Sequence, residues 1–398
     1  KIEFLIKNLK IKTIFFKKDF LSADDKKNIF YQLNKFDLRI KFLELNKNQN
    51  LENNKLNINK ILKRKIKFIF ELLEKETHNK TILVTGGGGT IGSELCRQII
   101  NYSPKEMIIL DHSEYNLYKI NLRIKNVIKD NSYKINLLPI LGSITDKEFI
   151  KEIFKKYKPG KVYHSAAYKH VGIVENNLIS SIKNNFFGTL NLVEHALKNN
   201  FKKFILISTD KAVNPINAMG ATKRLAEMAI ESFSTKNHKT IFCAVRFGNV
   251  LDSSGSVIPL FRQQITEGGP ITVTHPDVKR YFMLVSEAVS LVLSADQMSN
   301  GGEIFTLDMG EQFKILDLAK LMIKTYGLIE KNSANPNGDI QIKFIGLNKE
   351  EKLMEQLNYS DKKLQKTSNE NVYKTITKSI NYEEFENLKN KIQMNVEN

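Results

Sequence analysis

This chain has few of the devices that staple, anchor or metallate a protein. Its two cysteines, Cys96 and Cys243, fall in a helix-like and a strand-like segment and form no CxxC. That excludes a disulfide framework and predicts buried thiols in a reducing compartment. Seven histidines are scattered without HxxH or HExxH spacing, so no metal site is expected. No apolar run reaches the roughly 18 residues of a membrane span, and the opening segment is too interrupted by Lys for a signal peptide. The chain opens with Lys rather than Met, which suggests a fragment whose upstream part, a membrane anchor included, lies out of view. Acidic residues are short as well: 43 Asp and Glu face 61 Lys and Arg, for a formal charge of +18. The excess is spread evenly, and no basic helix is interleaved with aromatics. This argues against nucleic acid and suits an anionic small substrate.

What is present falls into three textures. Residues 1–78 are rich in Lys and Asn, with a polar loop over 46–60 and an amphipathic helix over 61–76. From Lys80 short apolar runs recur ("TILVTG", "MIILD", "INLLPILG", "KVYHSAA", "KFILIST", "TIFCAVRFG"), with helix-patterned stretches between them. Continuous apolar strands alternating with helices predict an α/β fold, a doubly wound parallel sheet of Rossmann type over 79–250. A returning segment is expected near 283–308. Residues 251–282 and 309–375 read as a smaller C-terminal α/β substrate domain, and 376–398 as a polar tail.

"LVTGGGGTIGSEL" is a strand, a glycine turn and a helix start. Gly86, Gly89 and Gly92, with Thr90 and Ile91 between the last two, permit close approach of a pyrophosphate to the helix N-terminus. The next strand ends in Asp111, placed to bind the adenosine ribose hydroxyls and to repel a 2′-phosphate. Ser143 and Ile144 are expected beside the adenine, and Ala166 and Ala167 leave room for the cofactor. Asp146 reads equally well as a helix N-cap. These positions favour NAD over NADP.

The stretch "STDKAVNPINAMGATKR", residues 208–224, poses a question. Lys223 stands four residues after position 219, where many short-chain reductases carry a catalytic Tyr; here the residue is Met219, which holds no exchangeable proton.

Together "TGGGGTIGSEL", "AAYKHV", "NNFFGT", the 208–224 block, "RFGNVLDSSGSVIPLF" and "RYFM" resemble the nucleotide-sugar 4,6-dehydratases of the extended short-chain dehydrogenase/reductase superfamily, in particular those acting on UDP-N-acetylglucosamine in bacterial polysaccharide and glycan synthesis. Large-form members carry Met in place of Tyr, and upstream they have transmembrane helices and a degenerate nucleotide-binding-like domain. Residues 15–65 look like the end of that domain. The resemblance implies an NAD-dependent cycle: oxidation at C4, loss of the C5 proton and C6 hydroxyl, and hydride return to C6. It assigns Thr209 to the C4 hydroxyl, Asp210 to protonating the C6 oxygen, Lys211 to the C5 proton, Lys223 to the nicotinamide ribose and Met219 to packing beside the reacting rings. It places Lys169, His170, Asn185, Asn249, Arg280 and Glu351 on the UDP-sugar. Arg246 reads evenly as a substrate or a fold residue. A homo-oligomer is implied, located in the cytoplasm or on the cytoplasmic side of an inner membrane.

Two departures touch nucleotide affinity: Asn348 replaces an Arg, and Asp252 stands where Gly is usual. Two alternatives stay open: a UDP-sugar epimerase, which Met219 disfavours, and a catalytically silent NAD-binding scaffold or regulator.

Overall fold

The apolar runs after Lys80 become strands whose alternate residues enter two separate cores. The computed structural model describes residues 13–17, 39–43, 71–235, 239–253, 255–357, 364–375 and 380–397. Nine strands make the main sheet: β1 (Thr81–Thr85), β2 (Glu106–Asp111), β3 (Asn136–Leu141), β4 (Lys161–His164), β5 (Lys203–Ile207), β6 (Ile241–Arg246), β7 (Glu303–Leu307), β8 (Leu364–Lys366) and β9 (Val372–Thr375). Their order is β8-β9-β7-β6-β5-β4-β1-β2-β3. Neighbours from β3 to β7 pair in parallel, and β9 runs antiparallel to both β7 and β8. The chain builds outward from β1 to β3 and then crosses back to β4, so the loops after β1 and β4 part and leave a crevice at the carboxyl ends.

Among the described residues, the helices beside the sheet include α1 (Thr90–Ile99), α2 (Glu114–Asp130), α3 (Lys147–Tyr157), α4 (Gly188–Lys198), α5 (Ala218–Ser234), α6 (Val285–Met298) and α7 (Tyr382–Glu397). Ile82, Val84, Met107 and Ile109 point into the core shared with α1, α2 and α6. Leu83, Ile108, Phe204 and Leu206 point into the core shared with α3, α4 and α5. Because both faces are covered, the strands read as unbroken apolar runs rather than alternating ones. The stretch read as a polar tail forms α7, and its Phe385 is fully buried in the second core.

The chain folds as two units. One comprises residues 1–58, 262–271 and 319–342; within it Thr13–Lys17 pairs in parallel with Arg39–Leu43. The other comprises 59–261, 272–318 and 343–398 and holds the sheet. Of the helix expected over 61–76, the described part is Glu71–Thr77; the remainder and the 46–60 loop lie outside the described residues. Among the described residues no helix is long and apolar enough to cross a membrane.

The amino ends of β4 and β5 carry lysines that no pattern analysis marks. Lys161 Nζ lies 2.6 Å from Asp296 Oδ2 and 3.0 Å from Glu76 Oε2, while Lys203 Nζ lies 3.1 Å from Glu76 Oε2 and donates to the Asp296 carbonyl at 2.6 Å. Tyr163 donates to Asp296 Oδ2 at 2.8 Å. Two buried cations and two anions, with the exposed Lys202 also 3.1 Å from Glu76 Oε1, thus close the bottom of the sheet and bind α6 and the Glu71–Thr77 helix to it. Burial alone would raise the Glu76 carboxyl, but Lys161 and Lys203 outweigh it and hold Glu76 at about 2. A depressed carboxyl stabilises the fold above its ordinary value of 4.5, and that stability is lost as pH falls through about 2. Glu76→Gln should therefore lower the thermal midpoint at neutral pH, with a cost of about 3 kcal/mol. The difference between variant and wild type in thermal scans should shrink as pH drops from about 4.5 towards about 2.

Candidate active site

The turn after β1 is shaped for a close visitor. Gly86 has φ +63°, and a Cβ there would lie 2.6 Å from the Ala166 backbone nitrogen. Helix α1 starts at Thr90 with Gly89 as its N-cap, and no side chain caps it. The partial positive charge of this helix end faces the cleft. Asp111, at the end of β2, accepts from the backbone N–H of Gly88 at 2.9 Å and of Ser113 at 2.9 Å. These two bonds fix its carboxylate at the edge of a cavity of about 190 Å³ that Ser143, Ile144 and Ala166 also line. Asp146 is indeed an N-cap, accepting from Phe149 N–H at 3.0 Å. The whole arrangement fits a dinucleotide.

That cavity shares walls with a cleft of about 720 Å³. Gly89, Thr90, Ile91 and Gly92 border it on the cofactor side together with Ala167. Thr209, Lys211, Met219 and Lys223 border its middle. Lys169, His170, Asn249, Arg280 and Glu351 complete it.

Asp210 lies beneath this surface, 1 % exposed. Its Oδ1 accepts from Thr209 Oγ1 at 3.0 Å and from Lys211 Nζ at 3.1 Å, while Oδ2 has no hydrogen-bond partner among the described residues. A Cβ on Gly248 would stand 2.8 Å from that oxygen. Gly248 itself lines the cleft, so the missing side chain is what leaves Oδ2 within reach of it. Burial pulls the Lys211 ammonium down, but the carboxylates of Asp210 and Glu355 outweigh this and hold it above the ordinary lysine range. Lys223, buried on α5, is pushed down to about 8 by that burial, against the pull of Glu227. Burial likewise lowers Lys169. An anion in the cleft would relieve it.

Asn185 stands apart from the cleft. It sits in a π-helical turn, Lys183–Phe187, and is 1 % exposed. Its side chain accepts from Tyr168 N–H at 2.7 Å and donates to the Tyr168 carbonyl at 2.9 Å and to Thr222 Oγ1 at 3.1 Å. These bonds tie Asn185 to the loop that presents Lys169 and His170. Arg246 is fully buried and belongs to the fold: Nε and Nη2 each bond Glu227 of α5 at 2.6 Å, and Glu227 also accepts from Ser208 Oγ at 2.6 Å. Asp252, where the resemblance expects Gly, occupies a left-handed backbone conformation at φ 57°, which explains why glycine suits that position. Sequence reasoning missed Gly248 and Glu355; the first lay inside "RFGNV", and the second, an acid in "KLMEQL", carried no signal of its own.

The family described as "Polysaccharide biosynthesis protein" matches residues 82–377. Capsular polysaccharide biosynthesis protein CapD of Staphylococcus aureus is 50% identical over 286 residues, which are 72% of this chain and 46% of that protein. The chain thus spans about half the length of that relative. Two other relatives carry different names. UDP-glucose 4-epimerase of Rickettsia rickettsii is 34% identical over 70% of this chain and 77% of its own. UDP-N-acetylglucosamine 4,6-dehydratase (inverting) of Campylobacter jejuni is 32% identical over 78% of this chain and 86% of its own. Among solved structures, the X-ray structure of Pen from Bacillus thuringiensis matches with a TM-score of 0.65 at 30% identity, covering 79% of this chain and 99% of that one.

Removing Arg246 takes the bidentate partner from the buried Glu227 and leaves it Arg224, 3.1 Å away. Because Arg224 still meets that carboxylate, Arg246→Met should cost about 2 kcal/mol in chemical denaturation, below the roughly 3–5 kcal/mol of a buried charge left with no partner. A loss under about 1 kcal/mol would mean that the pair does not hold α5 on the sheet.

Proposed function

Because the chain belongs to the polysaccharide biosynthesis protein family, we propose that it performs an NAD-dependent 4,6-dehydration of a UDP-sugar, with UDP-N-acetylglucosamine the leading candidate. The observation that carries this reading is the Asp210–Lys211 pair at the carboxyl end of β5. It has an unmet buried carboxylate oxygen and stands beside a cradle that fits a dinucleotide. When bound, NAD supplies the chemistry of taking a hydride from C4 and returning it at C6.

The chain's own residues handle protons and position. Thr209 exchanges its bond to Asp210 for one to the C4 hydroxyl. Lys223 holds positive charge near the developing C4 oxyanion, which replaces part of what a tyrosine would do. Met219, 4 % exposed, packs against the reacting ring and excludes water. With C4 oxidised, the C5 proton is acidic and Lys211 removes it, while Asp210 Oδ2 protonates the departing C6 oxygen past Gly248. Arg280, bonded to Glu351 at 2.6 Å, and Lys169 are the cations for the diphosphate.

The Rickettsia relative's name favours a second reading, C4 epimerisation. It requires proton transfer at C4 alone and leaves the Asp210–Lys211 pair without a task.

The two readings separate in one assay. Incubated with UDP-N-acetylglucosamine and NAD, the chain should produce the C6 methyl doublet of a 4-keto-6-deoxy sugar in proton NMR, and Lys211→Met should abolish it. A C4 epimer without a methyl signal would favour the second reading, and no turnover of any UDP-hexose would sink both. If Lys223 acts as a cation, kcat/KM should fall as pH rises through about 8. Lys223→Met should remove that limb along with about 10²-fold of the rate.

A further inference from the structure

Lys211 faces three acceptors: Asp210 Oδ1 at 3.1 Å, Asn249 Oδ1 at 3.3 Å and Glu355 Oε1 at 3.4 Å. Glu355, like Asp210, is buried, and its Oε2 also has no hydrogen-bond partner among the described residues. The segment that carries it is fastened at several points. Lys352 Nζ donates to the carbonyls of Val213 and Asn214 at 2.9 and 2.8 Å, Asn217 Nδ2 to the Glu350 carbonyl at 3.0 Å, and Gln312 Nε2 to the Glu355 carbonyl at 2.7 Å. Among the described residues, Arg280, paired with Glu351, also acts on the Lys211 charge.

We propose that Glu355 is a positioning residue that completes the proton inventory of the Asp210–Lys211 pair, an inference that rests on the dehydration reading above. Dehydration needs Asp210 to hold a proton while Lys211 holds none to spare. A lone pair with one proton between them settles as carboxylate and ammonium, with the acid empty and the base full. Two carboxylates and one ammonium carry one negative charge in excess. A buried cluster with two unmet carboxylate oxygens binds a further proton readily once substrate covers it. Three groups then hold two protons, and Glu355 accepts the one that Lys211 gives up. Asp210 stands as the acid and Lys211 as the amine. During elimination the C5 proton passes to the Lys211 amine, and the C5–H electron pair forms the C5–C6 double bond. The C6–O bond breaks as the Asp210 proton joins that oxygen to make water. Afterwards one proton returns from the Lys211 ammonium to Asp210, 3.1 Å away.

The test uses the full chain with side-chain-labelled lysine and NMR titration of the Lys211 ammonium in wild type, Glu355→Gln and Glu355→Asp. The linkage predicts that Lys211 titrates at least about one pH unit lower in E355Q, with most of the shift restored in E355D. A Lys211 titration unmoved in E355Q overturns the proposal. With turnover established, E355Q should lose about 10²-fold in kcat and keep KM for the UDP-sugar within about threefold, with E355D recovering part of the rate. A kcat of E355Q within about twofold of wild type also overturns it. Thermal midpoints of both variants separate these effects from misfolding. If Lys211 shifts as stated but the wild type makes no 4-keto-6-deoxy product, the proton linkage stands and the dehydration reading fails.

Discussion

The grip of Glu227 on Arg246 and Ser208 is the constraint on which the site depends. Glu227 lies one turn beyond Lys223 on α5, Arg246 ends β6, and Ser208 follows β5. One carboxylate therefore fixes the helix that presents Met219 and Lys223 against the strand end that presents Thr209, Asp210 and Lys211. Burial opposes the charge on Glu227, and the bidentate guanidinium overcomes it, so Glu227 stays below the usual carboxylate range. An apolar contact in the same place would hold the helix with less directional control, and the ring of polar groups around the cleft would lose its common reference.

The sheet is charged at both ends, in opposite manners. At the amino end the buried charges match, Lys161 and Lys203 against Glu76 and Asp296, with the exposed Lys202 at the rim also on Glu76. At the carboxyl end the sums are left unfinished: Asp210 and Glu355 outnumber Lys211. Matched charge secures the scaffold. Unmatched charge, kept in place by that scaffold, is where a ligand or a proton finds something to do.

Much of this was legible in sequence because it is local. The glycine turn, the apolar strands and the block around Thr209 each lie within a few residues of one another, and their spacing carries the chemistry. The resemblance places Asn185 on the substrate side; the structure adds that it sits in a π-helical turn and is bonded to Tyr168 and Thr222. Nothing in "NNFFGT" announces that extra residue in the turn. Glu355 and the lysines at the strand starts escaped for a different reason. Their partners lie scores of residues away, and a lone charged residue in a single sequence looks like any solvated one. The left-handed backbone at Asp252 shows the reverse case, in which a residue expected to be Gly marks a conformation that Asp can also adopt.

The fastening of the 350–356 segment has a consequence for how this protein can change. Lys352 and Asn217 both donate to main-chain carbonyls rather than to side chains. A carbonyl is supplied by whichever residue occupies the position, so Val213 and Glu350 are free to be replaced without any answering replacement across the contact, whereas Asn214 also donates from its side chain to Gln356 Oε1 at 3.1 Å. Two stretches of chain that must stay together would then leave a trace of correlated substitution at Asn214 and Gln356, while the carbonyl-fastened positions beside them stay silent in the record of sequences.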